Sequence, residues 1–194
     1  MNLEVDFESV GDRQFLVAGA DPGLKGGLIL LDARANVVER LRFKDIVIDI
    51  NSNTKRKRQS ILDVTKLSQL LIKCSHIYVE QVSSGSGQGV ASMFSFGIGF
   101  GQLLSACQLS GVPYTLVRPS VWQKVIFNEG LIDEYCQEPK KRSRLAALCQ
   151  WDKSIFMYKG CRVPDEGLMD AALIGLWGLR SMGIGSLEED LSYI

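Results

Sequence analysis

Histidine is almost missing from this sequence. There is one, His76, in 194 residues. That excludes sites built from several imidazoles, and a histidine-dependent hydrolase would have to rest on that residue alone. His76 reads more simply as the first residue of a short strand. Cysteine is sparse and unpatterned: Cys74, Cys107, Cys136, Cys149 and Cys161 are odd in number and include no CxxC pair. This argues against a disulfide framework and a zinc knuckle. The cysteines read as reduced, small apolar residues, suited to a reducing compartment. The opening MNLEVDFESVGDRQ is acidic and polar, unlike a secretory or transit peptide. No apolar run is expected to span a bilayer. The expectation is a soluble, intracellular protein without a membrane partner.

Net charge is also lacking: 22 basic residues balance 22 acidic ones. Overall charge therefore does not mark a nucleic-acid binder. Locally it is uneven, with TKRKR at Thr54 to Arg58 and KKRSR at Lys140 to Arg144. Each is either a solvated face or a phosphate-binding edge. Hydrophobic residues make up 46%, and the length suits one domain with a substantial core.

FLVAGAD reads as a strand buried on both faces and ending at Asp21. DPGLKGG is a turn, and GLILLD reads as an antiparallel return strand. NVVERLRF alternates as a third strand. The stretch Asn53 to Ser60 reads as a mobile loop. ILDVTKLSQLLIKC has helical spacing from Ile61 onward. HIYVE is a fourth strand ending at Glu80, and PYTLVRP a fifth. A helix is expected from Val90 to Leu109. Its Met93, Phe94, Phe96 and Phe100 would pack inward, while Gly97, Gly99 and Gly101 would admit another backbone. SVWQKVIF starts a helix with Ser120 as N-cap. KKRSRLAALCQW and DEGLMDAALIGLWGLR are further helices. Three strands followed by alternating strands and helices predict an α/β fold with a mixed sheet.

Asp21 and Glu80 each end a strand. If those strands are neighbours, both carboxylates emerge at one sheet edge. Glu166 and Asp170 are four residues apart and share a helix face. Taken singly, Asp21 is an ordinary turn initiator, Glu80 a strand-end charge, and Asp165 and Glu166 favourable charges at a helix N-terminus. Asp170 is harder to dismiss, because the apolar segment AALIGLW follows it. Together they form a cluster of like charges that divalent cations with hard oxygen ligands would stabilise, magnesium above all. Two such ions, roughly 4 Å apart, suit phosphodiester hydrolysis by water, with no protein nucleophile.

GADPGLKGGLILLD, YVEQV and DEGLMDAALIG, in this order, resemble the three acidic motifs of RuvC-type Holliday junction resolvases. The likeness extends to the helix rich in glycine and phenylalanine, to RPSVWQK and to KKRSRLAAL. It runs from about Val17 to Trp177 and is nearest to the plant chloroplast branch and its bacterial and phage relatives. The resemblance implies an RNase H-like fold, a mixed five-stranded sheet flanked by helices. It also implies a magnesium-dependent nuclease that cuts four-way DNA junctions with paired nicks, with Mn2+ able to substitute and two ions per site. Asp21, Glu80 and Asp170 match the family's metal-binding carboxylates. Many bacterial members carry the fourth three residues before the last Asp, where this chain has Gly167. The chloroplast-like branch carries it four before, at Glu166, with Asp165 in reserve.

The DNA contacts expected from the turn, the resemblance and the basic patch are Lys25, Arg118, Lys124, Lys140, Lys141, Arg142 and Arg144. Lys25 also reads as a plain exposed turn lysine, and Trp122 as core rather than a base-stacking platform. The glycine-rich helix is expected to combine core packing with a homodimer contact. The source implied is a bacterial or phage-infected cytoplasm, or an organelle. Two other classes stay open: a junction-binding scaffold without cleavage, and an actin-like or sugar-kinase phosphotransfer domain suggested by DPGLKGG.

Overall fold

The computed structural model describes residues 14–50, 59–82, 89–128 and 139–184. β1 (Leu16–Asp21), β2 (Gly27–Asp32) and β3 (Val37–Arg42) form an antiparallel meander. A hairpin of β4 (Val47–Ile50) and β5 (Gln59–Leu62) follows, then α1 (Val64–Leu71), β6 (His76–Glu80), α2 (Val90–Ser110) and β7 (Tyr114–Val117). The chain continues through α3 (Pro119–Asn128), α4 (Pro139–Gln150) and α5 (Glu166–Ser181). The main sheet has the order β3-β2-β1-β6-β7. β6 runs parallel to both β1 and β7, so the sheet is mixed, as expected.

β1 is apolar up to its last residue, Asp21, because it is central and covered on both sides. Val17, Ile29, Leu31 and Tyr78 pack with α5, together with residues of α3 and α4, on one face. Leu16, Ala18, Leu28, Leu30, Ile77 and Val79 pack with α1 and α2 on the other. Alternate residues of one strand thus enter opposite clusters, as the two-residue pleat demands. On the α5 side the backbones nearly touch: a Cβ on Gly19 would collide with the Ala171 carbonyl and the Gly175 backbone.

Five expectations are corrected. Phe94, expected to pack inward, is exposed on α2. Ile61 and Leu62 belong to β5, paired with Ile48 and Val47, and not to a helix. Asp63 divides them from α1 by capping it, its side chain accepting from the Lys66 backbone N–H at 2.9 Å. Gln59 and Ser60 likewise belong to β5 rather than to a loop. Ser120 is not an N-cap. α3 starts at Pro119, and the Arg118 carbonyl accepts from the Val121 and Trp122 N–H groups, a start suited to proline's missing donor. Finally, α2 is 21 residues long and apolar enough to cross a membrane by length and composition. Its glycines and serines hide this from a search for an unbroken apolar run, yet it carries no charged residue. Leu103, Ala106 and Cys107 are nonetheless fully buried against the sheet and α1. The TKRKR cluster, Cys136 and the acidic segment SLEEDLSYI, which the sequence suggests is loosely held, fall outside the described residues.

Candidate active site

The site begins in the turn between β1 and β2. Gly23 has φ +105°, a conformation other residues rarely adopt, and its carbonyl accepts from the Gly26 N–H at 3.0 Å. A Cβ on Gly26 would strike the Asp21 carbonyl. The first turn of α5 rests directly on this hairpin, where Gly167 forms an isolated parallel bridge with Gly26. A Cβ on Gly167 would collide with the Lys25 carbonyl. Position 167 therefore has no room for a carboxylate, which gives a steric reason for the acidic residues lying one or two places earlier.

β1 and β6 are parallel neighbours with Ala20 opposite Val79, so Asp21 and Glu80 leave the sheet side by side. Asp170 comes from α5, packed across β1. Both Asp21 and Asp170 are partly buried. Burial first, then the charges of Asp170, Glu80 and Asp165, push the Asp21 carboxyl up to about 8. Burial, with Glu80 and Glu166 adding, pushes Asp170 up to about 6, against a hydrogen bond from Ser143 that lowers it. Burial also raises Glu80, opposed by the Trp122 indole, which donates to Glu80 Oε1 at 3.0 Å. The carboxylates are thus within electrostatic reach of one another. Asp170 Oδ1 is buried with no hydrogen-bond partner among the described residues. Among the described residues, however, no three acidic, histidine or cysteine groups are already gathered closely enough to hold a metal ion.

The two candidates for the fourth carboxylate differ in surroundings. Asp165 is the N-cap of α5, accepting from the Leu168 N–H at 3.3 Å, and it pairs with Lys44 Nζ at 3.4 Å. Glu166 is exposed and borders a cleft of about 110 Å³ with Ser143, Arg144, Met169 and Asp170. Glu166 therefore shares a cleft with Asp170, as one helical turn requires, but Asp165 also reaches Asp21 electrostatically.

Of the expected DNA contacts, Lys25 is exposed in the hairpin turn and Arg118 is exposed just past β7, at the sheet edge that carries Glu80. Arg144 is exposed on α4 and borders the Asp170 cleft. Lys141 is exposed and Arg142 half-buried on the same helix, and Lys140 lies in its first turn. Lys124 is exposed on α3. His76 sits at the other end of β6 from Glu80, its Nε2 2.9 Å from Thr115 Oγ1. Trp122, 1% exposed, is core as expected, but its bond to Glu80 was not anticipated. Nor was the Ser143 contact, since a serine inside a basic run carries no such signal.

No family model and no curated protein matches the sequence. Solved structures do. RuvC of Thermus thermophilus in complex with a Holliday junction substrate aligns at 16% identity and TM-score 0.52, covering 88% of this chain and 97% of that one. A second Thermus thermophilus RuvC structure aligns at 18% identity and TM-score 0.45, over 88% and 98%. The yeast mitochondrial Holliday junction resolvase Ydc2 aligns at 12% identity and TM-score 0.37, over 88% and 80%. The first of these carries the comparison, and what it carries is architecture. With its mixed five-stranded sheet, its flanking helices and this match over nearly the whole of a RuvC chain, the protein has the RNase H-like α/β fold of the RuvC resolvases.

Proposed function

We propose that the protein is a divalent-metal-dependent endonuclease that resolves four-way DNA junctions by paired nicks. One observation carries this reading: two strand-end carboxylates and a helix carboxylate lie within electrostatic reach of one another at one edge of a RuvC-like sheet, and a buried oxygen of the last, Asp170 Oδ1, has no hydrogen-bond partner among the described residues. A buried carboxylate oxygen is costly without a donor or a cation. The donor set is all hard oxygen, which fits Mg2+, with Mn2+ as a substitute. Asp21, Glu80, Asp170 and Glu166 would hold it, with Asp165 in reserve. When bound, the metal supplies Lewis-acid activation of the phosphate and of water. The chain's own residues do the rest. Lys25, Arg118, Lys124 and the α4 cations Lys140, Lys141, Arg142 and Arg144 would attract phosphates, and one carboxylate of the set would accept a proton from the attacking water.

The substrate assignment rests on the fold shared with a RuvC solved on a Holliday junction. A second copy of this chain, seated on α2, would complete a two-fold enzyme matched to two symmetric cuts. The absence of a ready-made three-donor cluster among the described residues supports a second reading, a junction-binding protein that does not cut. The test is cleavage of a synthetic four-way junction beside linear duplex across Mg2+ and Mn2+ titrations. Paired nicks confined to the junction support the nuclease. Tight junction binding with no cutting at any metal concentration selects the scaffold.

A further inference from the structure

The Trp122 indole is fully buried at the start of α3, 42 residues from Glu80 in sequence, and its Nε1 donates to Glu80 Oε1 at 3.0 Å. Glu80 pairs with Val117 across the parallel β6–β7 ladder, and the Gln81 N–H continues that pairing to the Val117 carbonyl at 2.7 Å. One residue after Val117, the Arg118 carbonyl takes the N–H groups of Val121 and Trp122 and starts α3. The short path from β7 into α3 therefore brings the indole back onto the end of β6. Phe127 packs against the indole edge-on at 5.9 Å between ring centroids, so the ring has little freedom to turn.

The indole N–H only donates, and it neither titrates nor binds cations. Its hydrogen bond engages Glu80 Oε1, so Oε2 is the carboxylate oxygen that the indole does not take up and that can meet another ligand. A mobile glutamate with two equivalent oxygens would have to be ordered each time a cation bound. The tryptophan has already met that entropic cost in folding.

We propose that Trp122 is a positioning residue: by holding Glu80 Oε1 it presents Oε2 to a divalent cation shared with Asp21 and Asp170. The inference rests on the proposed metal-dependent reading of the site and names a residue of this chain that makes it work. Because α3 also carries exposed Lys124, with Arg118 at its start, the same bond ties a helix with exposed cations, proposed to attract phosphates, to the carboxylate.

Trp151 supplies the control. It too is buried, and its Nε1 donates at 2.8 Å, but to the Ala35 carbonyl, and it packs against Phe156. Trp122→Phe and Trp151→Phe remove the same chemical group from two places. Trp122→Phe is expected to slow single-turnover junction cleavage roughly 10–100-fold and to raise the Mg2+ requirement, with junction affinity unchanged in the absence of metal. Trp151→Phe is expected to lower the melting temperature and leave the cleavage rate alone.

A second readout needs no activity. In 15N-labelled protein without DNA, the Trp122 indole N–H resonance should move on Mg2+ titration. It should stay in place but ignore Mg2+ in Glu80→Gln, and shift toward a non-bonded indole in Glu80→Ala. A wild-type protein that never cuts but shows this indole response would overturn the nuclease reading and leave the positioning role standing. If Trp122→Phe does not fold, the indole response in the two Glu80 variants decides. An indole resonance indifferent to both Mg2+ and Glu80→Ala, or a folded Trp122→Phe with normal rate and Mg2+ dependence, overturns the proposal.

Discussion

α5 and α2 are built from similar material and end in opposite situations. Both are apolar, and both carry three glycines in their span. On α5, Gly167, Gly175 and Gly178 each meet another part of the chain: the β1–β2 hairpin, the Gly19 backbone and the Tyr78 ring. On α2, a Cβ at Gly97, Gly99 or Gly101 would meet nothing within 4 Å among the described residues. Phe94 on α2 is 68% exposed, whereas Leu168 through Ile174 of α5 are fully buried apart from Asp170. Glycine in a helix costs about 1 kcal/mol relative to alanine. On α5 the return is visible: the helix lies close enough to the sheet to bring Asp170 within electrostatic reach of Asp21 and Glu80. On α2 no return is visible within one copy, and Phe94, expected to pack inward, does not. A second copy seated on α2 is the proposed return.

The largest effect that tests this contrast is a steric one. Gly19→Ala or Gly175→Ala drives a Cβ into the β1–α5 contact and is expected to destabilise the fold by roughly 3 kcal/mol, abolishing cleavage with it. Thermal unfolding followed by circular dichroism measures this. A normal melting temperature for Gly19→Ala would mean that α5 stands further off the sheet than described.

Next come the charges that this packing brings together. Asp21→Asn, Glu80→Gln and Asp170→Asn should each abolish cutting and retain junction binding. The metal-free Asp21→Asn protein should also be more stable than wild type. The sign follows from Asp21 holding its proton up to about pH 8 when folded, whereas the unfolded chain releases it near pH 4. Between those values the folded state binds more protons, so wild-type stability falls as pH rises. Asp21→Asn removes that fall, and its melting temperature should exceed wild type by several degrees at pH 8 and match it near pH 4. Equal melting curves at pH 8 would mean that Asp21 is not the buried, charge-crowded group described.

A smaller effect separates the two acids at the start of α5. Glu166→Gln should severely impair single-turnover cleavage across a magnesium titration. Asp165→Asn should change it little, because Asp165 is engaged as the cap and with Lys44, and Asn caps almost as well. The reverse pattern would move the fourth ligand to Asp165. The smallest effect belongs to α2. Gly97→Ala with Gly101→Ala should stabilise a single copy by about 1–2 kcal/mol in helix propensity alone. If two copies meet there, the same change should weaken the dimer, measured by sedimentation of free and junction-bound protein. An unchanged dimer would place the contact elsewhere.

The sequence by itself determined the strands that carry Asp21 and Glu80, because short apolar runs bounded by Gly, Pro and polar residues have few other readings. It also determined the helical spacing of Glu166 and Asp170, since one turn of helix is local geometry. It misplaced the start of α1, where Asp63 overrode an apolar period that ran on through Ile61 and Leu62. It could not decide what lies far apart along the chain. That β6 pairs with β1 and β7, that Gly167 rests on Gly26, and that Trp122 holds Glu80 follow only from the packing of the sheet against α5 and α3. The shifts that make the site chemically distinctive come from burial and from charges up to 149 residues apart. Neither burial nor such distant proximity is written in any local pattern, and both appear only when the tertiary structure closes around them.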